Sequence, residues 1–373
     1  MTTAATQELD ERCFLSAQSM PKLKVSEHFQ VVKLLGEGSY GKVMLAVHKT
    51  RGTPMALKFF PRKSTTLASF LREYNLSLSY CTHPSLTRAL GIFFSTPTYY
   101  VFAQQAGLYG DLYSVIVSEA GVDEHGVQRV MAQLSGAVTH LHSLGFVHRD
   151  IKPENIFLCD SSCRWVKLGD FGLARAVGTT VRAVWYESPF CTPEVEPAKK
   201  AEQEMERRIS EGTEDEMEDI WITVETSIDS WGLGVLTYCL LTCCFPWEES
   251  THDDRGYRRF KEWFDREAEK EAKGEDGERR DRTKAENQRG NPPPSQFEGL
   301  SSLAMTLLKE LLHPEPKLRG SPEDILSYLG GPWLVETERE EKKKAEEAAK
   351  EARSIRERGG MEEELLREGR GER

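Results

Sequence analysis

The stretch Val147-His148-Arg149-Asp150-Ile151-Lys152-Pro153-Glu154-Asn155 concentrates more reactive chemistry than any other part of this 373-residue chain. An aspartate, a lysine two residues on and an asparagine three beyond that form a compact polar group between apolar flanks. Such a group is costly to bury unless it meets ligands. Fifteen residues after Asn155 comes Asp170-Phe171-Gly172. These residue types point to one kind of reaction. Asp150 can accept a hydroxyl proton, Lys152 can neutralise a phosphoryl group in transfer, and Asn155 and Asp170 offer oxygens suited to Mg²⁺. A plain polar loop with a helix cap is the alternative, and the length and order of the pattern argue against it.

Several elements must bring these groups together. Phe29 to Leu35 reads as a strand, Leu35-Gly36-Glu37-Gly38-Ser39-Tyr40-Gly41-Lys42-Val43 as a glycine-rich turn, and Met44 to Val47 as a second strand. Glycines let backbone amides approach phosphate oxygens where a Cβ would intrude. G-x-G-x-x-G alone is a weak signal. A dinucleotide-binding version would need a helix directly after it, and here strand-like sequence follows. Met55-Ala56-Leu57-Lys58-Phe59-Phe60 is a third strand with a single lysine in an apolar run. Its neighbours favour an inward ammonium with an acidic partner, and Glu73 in the helical stretch Leu67–Tyr80 is the candidate. Tyr99 to Gln105 is a further strand. Asp111 precedes a helical stretch, Leu112–Val117, as an N-cap would. Asp123–Leu144 has the period of a long amphipathic helix, and Asp229–Leu241 that of a buried one.

Taken together, the glycine loop, the strand lysine, H-R-D-x-K-x-x-x-N and D-F-G stand in the order and spacing of a eukaryotic protein kinase, and the chain resembles that superfamily over about Phe29 to Leu334. Within it the chain is most similar to the SH3-binding-domain serine/threonine kinase family. The stretches Tyr100–Gln104, Val147–Leu158, Asp229–Leu236, Cys244–Trp247 and Pro292–Pro294 carry that likeness. The resemblance implies an α+β, bilobal fold, with a β-rich small lobe (29–104) holding one helix and a mainly helical large lobe (108–334). It implies ATP with Mg²⁺ between the lobes and transfer of the γ-phosphate to serine or threonine. Asp150 would be the base, Lys152 would stabilise the transferring group, and Asn155 and Asp170 would hold the metal. Lys58, braced by Glu73, would hold the α- and β-phosphates. Leu35 to Val43, Ala56 and Phe157 would surround the nucleotide. Gln104 would be the gatekeeper, Gln105 would face adenine, and Asp111 would meet the ribose. Thr192-Pro193-Glu194 closes the activation segment, with Glu194 paired to Arg319. Arg149 can bind a phosphate on Thr179, Thr180 or Ser188, or the loop can act unmodified.

Three positions depart from the family pattern. Tyr186-Glu187 stands where Gly-Thr is common, Ser77 where an apolar residue is usual, and Phe157 where a smaller aliphatic residue floors the adenine pocket. They set up a rival expectation, an ATP-binding pseudokinase or scaffold. Glu187 can alternatively favour a basic substrate.

The remaining sequence bounds the partners. Residues 1–28 are polar and read as a loose arm. Charged inserts fall at about 196–219 and 265–290, and residues 335–373 form a charged tail, helical or disordered. Either the acidic insert or the tail can serve as a binding segment. The net charge of −11 argues against nucleic acid or an anionic membrane as the main partner. The longest apolar run, Trp231–Phe245, is short of the ~20 residues that span a bilayer. No two of the 17 prolines stand three apart, so SH3 binding is poorly supported despite the family's name. Eight cysteines without Cys-x-x-Cys pairs suit a reducing compartment, and no signal peptide is read at Met1–Met20. A cytoplasmic location is expected, with the nucleus also compatible.

Overall fold

The computed structural model describes residues 4–38, 41–118, 122–212, 218–275, 292–345 and 347–348. The chain opens with helix α1 (Ala4–Ser19) and the single turn α2 (Val25–His28). Most of the stretch expected to be a loose arm is thus structured. Helix α1 is polar, but its Leu9 is fully buried. Burying one leucine stabilises by about 1.5–3 kcal/mol.

A five-stranded antiparallel sheet follows, built from β1 (Phe29–Gly38), β2 (Gly41–His48), β3 (Pro54–Pro61), β4 (Ala89–Ser95) and β5 (Tyr99–Gln104) in the order β1-β2-β3-β5-β4. β3 is central and buried from Met55 to Phe60, which suits its nearly unbroken apolar sequence. Its register sets Lys58 between Val43 of β2 and Phe102 of β5. Helix α3 (Leu67–Ser79) crosses between β3 and β4. Thr66 caps it by accepting from the Ser69 amide. Phe70 and Tyr74 of α3 lock onto the sheet through rings packed with Phe60, Phe93 and Phe102.

The large lobe is mainly helical. It holds α4 (Leu112–Val117), α5 (Glu124–Ser143), α6 (Glu196–Ser210), α7 (Ser227–Thr242), α8 (Arg255–Glu275) and α9 (Ser302–Leu311). Between α5 and α7 lie the short strands β6 (Phe146–Val147), β7 (Ile156–Leu158), β8 (Val166–Leu168), β9 (Arg175–Ala176), β10 (Thr180–Arg182) and β11 (Trp221–Thr223), paired β6 with β9, β7 with β8 and β10 with β11. Asp123 caps α5 at the Gly126 amide, and α7 is buried from Asp229 to Leu240. The Glu194 carboxylate meets Arg319 in a two-pronged pair at 2.9 and 2.7 Å, as expected for the end of the activation segment.

The charged segments resolve differently. Residues 196–210 are helix α6, whose first turns are buried, with Lys199 bridging Glu249 at 2.5 Å and Asp253 at 2.7 Å. The second insert continues α8 to Glu275, and 276–291 lie outside the described residues. The closing stretch Pro322–Tyr328 is a 3₁₀ helix. The tail is helical over 335–345 and 347–348, and residues beyond lie outside the described ones. Among the described residues no helix is long and apolar enough to cross a membrane.

Candidate active site

The loop 148–155 is held from beneath by one buried carboxylate. Asp229, at the start of α7, accepts from the His148 amide at 2.8 Å, the Arg149 amide at 2.8 Å and His142 Nε2 at 2.8 Å. Burial alone would raise its pKa, but these donors, His142 first, hold it below the usual carboxylate range. This bracing lets Arg149 keep a left-handed backbone (φ 70°), which a non-glycine residue adopts only when its surroundings enforce it.

On that platform the reactive groups converge. The Asn155 amide donates to the Asp150 carbonyl at 2.8 Å and to Asp150 Oδ2 at 2.9 Å. Lys152 Nζ lies 3.5 Å from Asp150 Oδ1. Asn155 thereby spends both amide hydrogens on Asp150, and its oxygen is the group it retains for a cation. Across the cleft Lys58 Nζ meets Glu73 Oε1 at 2.5 Å and Asp170 Oδ1 at 3.3 Å. Burial works against the charge on Lys58, yet Glu73 and then Asp170 outweigh it and hold its pKa above the ordinary value. Asp170 is likewise opposed by burial, but Lys58 and the Gly172 amide keep it ionised below the usual range.

These groups line one cleft of ≈ 600 Å³, a size suited to a nucleotide. Leu35, Gly36, Glu37, Gly38, Gly41, Val43, Ala56, Lys58, Gln105, Asp111, Lys152, Asn155, Phe157 and Asp170 all face it. Lys42 is in β2 but not on the cleft wall. Its ammonium lies over the Phe59 and Tyr99 rings at 5.7 and 5.4 Å, which turns it to another part of the sheet. Glu73 reaches the cleft only through Lys58. Asp150 is not on the wall either, and it joins the cleft through Asn155 and Lys152. Ser39 and Tyr40 lie outside the described residues. The Gln105 amide donates to the Arg88 carbonyl at 3.0 Å, so its own carbonyl is what it can offer. Asp111 does two jobs: it faces the cleft and caps α4, accepting from the Ser114 amide at 2.8 Å.

Comparison with known proteins supplies the family. A protein kinase domain matches residues 29–207. Serine/threonine-protein kinase SBK1 of Danio rerio is 36% identical over 328 residues, covering 88% of this chain and 75% of its own. Serine/threonine-protein kinase SBK2 of Rattus norvegicus is 37% identical over 359 residues, covering 96% and 87%. The SBK2 of Homo sapiens is 34% identical over 330 residues, covering 88% and 84%. The chain belongs to the SH3-binding-domain serine/threonine kinase family. This kinase is a serine/threonine protein kinase with the bilobal α+β fold, and the pseudokinase alternative is not favoured. As a class, protein kinases use ATP with Mg²⁺.

The three departures have physical settings in this kinase. The Ser77 hydroxyl donates to the Thr87 carbonyl at 2.9 Å, so a buried hydrogen bond occupies the apolar residue's place. Phe157 lies against Gly107 and Gly169. A Cβ at Gly107 would come within 2.7 Å of the Phe157 Cβ, and one at Gly169 within 2.7 Å of ring atom Cε2, so Gly169 is the glycine that makes room for the larger ring. Glu187 lines a second groove with Ser188, Trp247, Glu248 and Asp254, and that groove shares Glu154 with the nucleotide cleft. Sequence reasoning passed over Glu154, although its place beside Asn155 was the signal. It also passed over Arg72 and Arg175 as neighbours of Arg149. Arg175 is pushed down to about 10 by burial and then by the charges of Arg72 and Arg149. Those three come from α3, the catalytic loop and β9, and no local spacing links them.

Proposed function

We propose that Asp150, Lys152, Asn155, Lys58, Glu73 and Asp170 carry the phosphotransfer. The observation that supports this is their convergence on one cleft through two hydrogen-bonded groups, Asp150–Lys152–Asn155 and Lys58–Glu73–Asp170. The donor set suits a nucleotide with a hard cation: a buried ammonium for phosphate oxygens, and an ionised Asp170 with the Asn155 amide oxygen for Mg²⁺. When bound, Mg²⁺ neutralises charge on the phosphate chain. Asp150 orients and deprotonates the acceptor hydroxyl. Asn155 fixes Asp150's rotamer, and Lys152 screens the charge that develops beside it. Lys58 positions the α- and β-phosphates, while Glu73 keeps its ammonium in place. Rate gain of this kind comes from positioning and preorganised charge.

The acceptor is a protein serine or threonine. Glu154, Glu187 and Glu248 along the adjoining groove support a basic segment around it. The acidic insert (about 196–219) and the charged tail are secondary candidates for partner contact, and SH3 recognition lacks a P-x-x-P core. All eight cysteines are free, which supports a reducing compartment, and we assign the cytoplasm, with the nucleus compatible. The test is Mg²⁺-dependent transfer from ATP to basic and acidic serine/threonine peptides, beside Asp150→Asn. Transfer that prefers basic peptides and falls at least a hundredfold in the variant is expected. Undiminished transfer by Asp150→Asn would remove Asp150 from the reaction.

A further inference from the structure

Helix α1 has a job that its polar sequence conceals. Of its residues only Leu9 is buried, and it is fully so, within the same core group as Leu76, Tyr80 and Phe146. Cys13 packs against both this core and the small-lobe cluster of Phe70, Leu71 and Tyr74. Ser16 Oγ donates to Asn75 Oδ1 at 3.1 Å, and Asn75 Nδ2 donates in turn to the Leu71 carbonyl at 2.8 Å and towards Cys13 Sγ at 3.8 Å. Beyond α1 the chain is tied to the sheet edge. The Ser95 amide of β4 donates to the Pro21 carbonyl at 2.9 Å, and the Leu23 amide donates to the Ser95 carbonyl at 3.0 Å. At the other end Ala5 reaches Gly145, two residues before the catalytic stretch begins. Segment 5–23 therefore touches both lobes and packs along α3 between them.

The contact with α3 matters because of what that helix holds. Successive residues on a helix turn by about 100°, so Asn75 lies about 200° round from Glu73. Ser16 and Cys13 thus hold α3 on the side away from Glu73, while Leu9 holds it through Leu76, about 60° round from Glu73. A buried ion pair survives only where its geometry is held tightly. The small lobe grips α3 by its aromatic residues from one side. The strap supplies a second side and links it to the large lobe.

We propose that α1 is a built-in positioning element for phosphotransfer, with Leu9 its anchor. It holds α3 where Glu73 and Lys58 stay paired, and so rests on the reading of that pair given above. The test uses the full chain carrying Leu9→Ala, Leu9→Asp or Leu9→Met. It measures kcat and KM for ATP, and amide hydrogen exchange of α3 against α5 and α7. For Leu9→Ala we expect kcat to fall about tenfold with KM for ATP changed less than threefold. Exchange should quicken in α3 but not in α5 or α7. Leu9→Asp should do more, and Leu9→Met should stay within twofold of wild type. Wild-type kcat in folded Leu9→Ala overturns the proposal, as does a loss of kcat with exchange quickened equally in α5 and α7. A wild-type chain that transfers no phosphate would instead overturn the assignment of the active site. In that event an α3 exchange rate unchanged by Leu9→Ala still removes the strap, and a quickened one keeps it.

Discussion

Two groups of cations, buried Lys58 and three half-buried arginines, flank the same loop and are settled in opposite ways. Lys58 sits between Glu73 and Asp170, and its charge is reinforced. Arg72, Arg149 and Arg175 share a neighbourhood in which burial and mutual repulsion weaken the charge of Arg175, and no acid makes an ion pair with any of them among the described residues. The Nε atoms of Arg72 and Arg149 are buried without a hydrogen-bond partner. A buried polar atom left unsatisfied costs about 1–3 kcal/mol. The first site is complete as it stands. The second leaves two buried guanidinium donors unpartnered, as an anion would require. The contrast separates a site whose charges are paired from one whose donors are not.

The largest effect should come from breaking the complete site. Lys58→Met leaves Glu73 and Asp170 buried with no cation, and uncompensated buried charge costs about 3–5 kcal/mol. Transfer should fall by about 10²–10³-fold, the scale on which a preorganised charge contributes. Activity above a tenth of wild type, in a peptide assay paired with urea unfolding, would sink the assignment. Lys58→Arg should not rescue, because a planar fork cannot replace a point charge there. Acid titration sharpens the same point. Asp170 is held below the usual carboxylate range, so its contribution to stability is present above its unfolded pKa and drains away as pH falls through its native one. Asp170→Asn should therefore lose less stability than wild type between neutral pH and pH 3, as read by thermal melting.

The arginine group should answer with smaller changes of the opposite sign. Arg175→Gln relieves repulsion, so its melting temperature should equal or exceed that of the unmodified wild type. The native pKa of Arg175, about 10, lies below its unfolded value. The unfolded chain then binds the extra proton, and wild-type stability should rise relative to Arg175→Gln as pH climbs through about 10. Inorganic phosphate at ten times its Kd should stabilise wild type by about 1.4 kcal/mol, and Arg149→Gln should abolish this. Equal responses in both chains would show that the pocket holds no anion.

What was legible in the sequence follows the same division. The catalytic loop, Lys58 and Asp170 carry their chemistry in local patterns, and the caps Asp111 and Asp123 stand where the helices start. The contents of the arginine pocket come from three elements far apart in sequence, so no spacing could announce them. Helix α1 was hidden because one buried leucine in sixteen residues gives no apolar stripe to read. Lys42 was grouped with the glycine loop by adjacency, although strand alternation turns its side chain to the Phe59–Tyr99 face.

The smallest effect concerns the floor of the complete site, where one departure from the family pattern is compensated by another residue. A Cβ at Gly169 would lie 2.7 Å from Phe157 Cε2 and 3.0 Å from Thr87 Oγ1. Gly169→Ala alone should overpack this corner and cost about 1–3 kcal/mol. Phe157→Leu alone removes ring atoms and should cost about 1 kcal/mol. In the double variant the ring clash is gone and only the Thr87 contact remains, so the two costs should not add. The coupling should fall within about 0.5–3 kcal/mol, measured by urea unfolding. Additivity within about 0.3 kcal/mol would mean that Gly169 serves the backbone beside Asp170 rather than the ring. Coupling of the expected size would mean that the larger floor residue is part of a fitted cleft, which is how an active kinase can carry phenylalanine at this position.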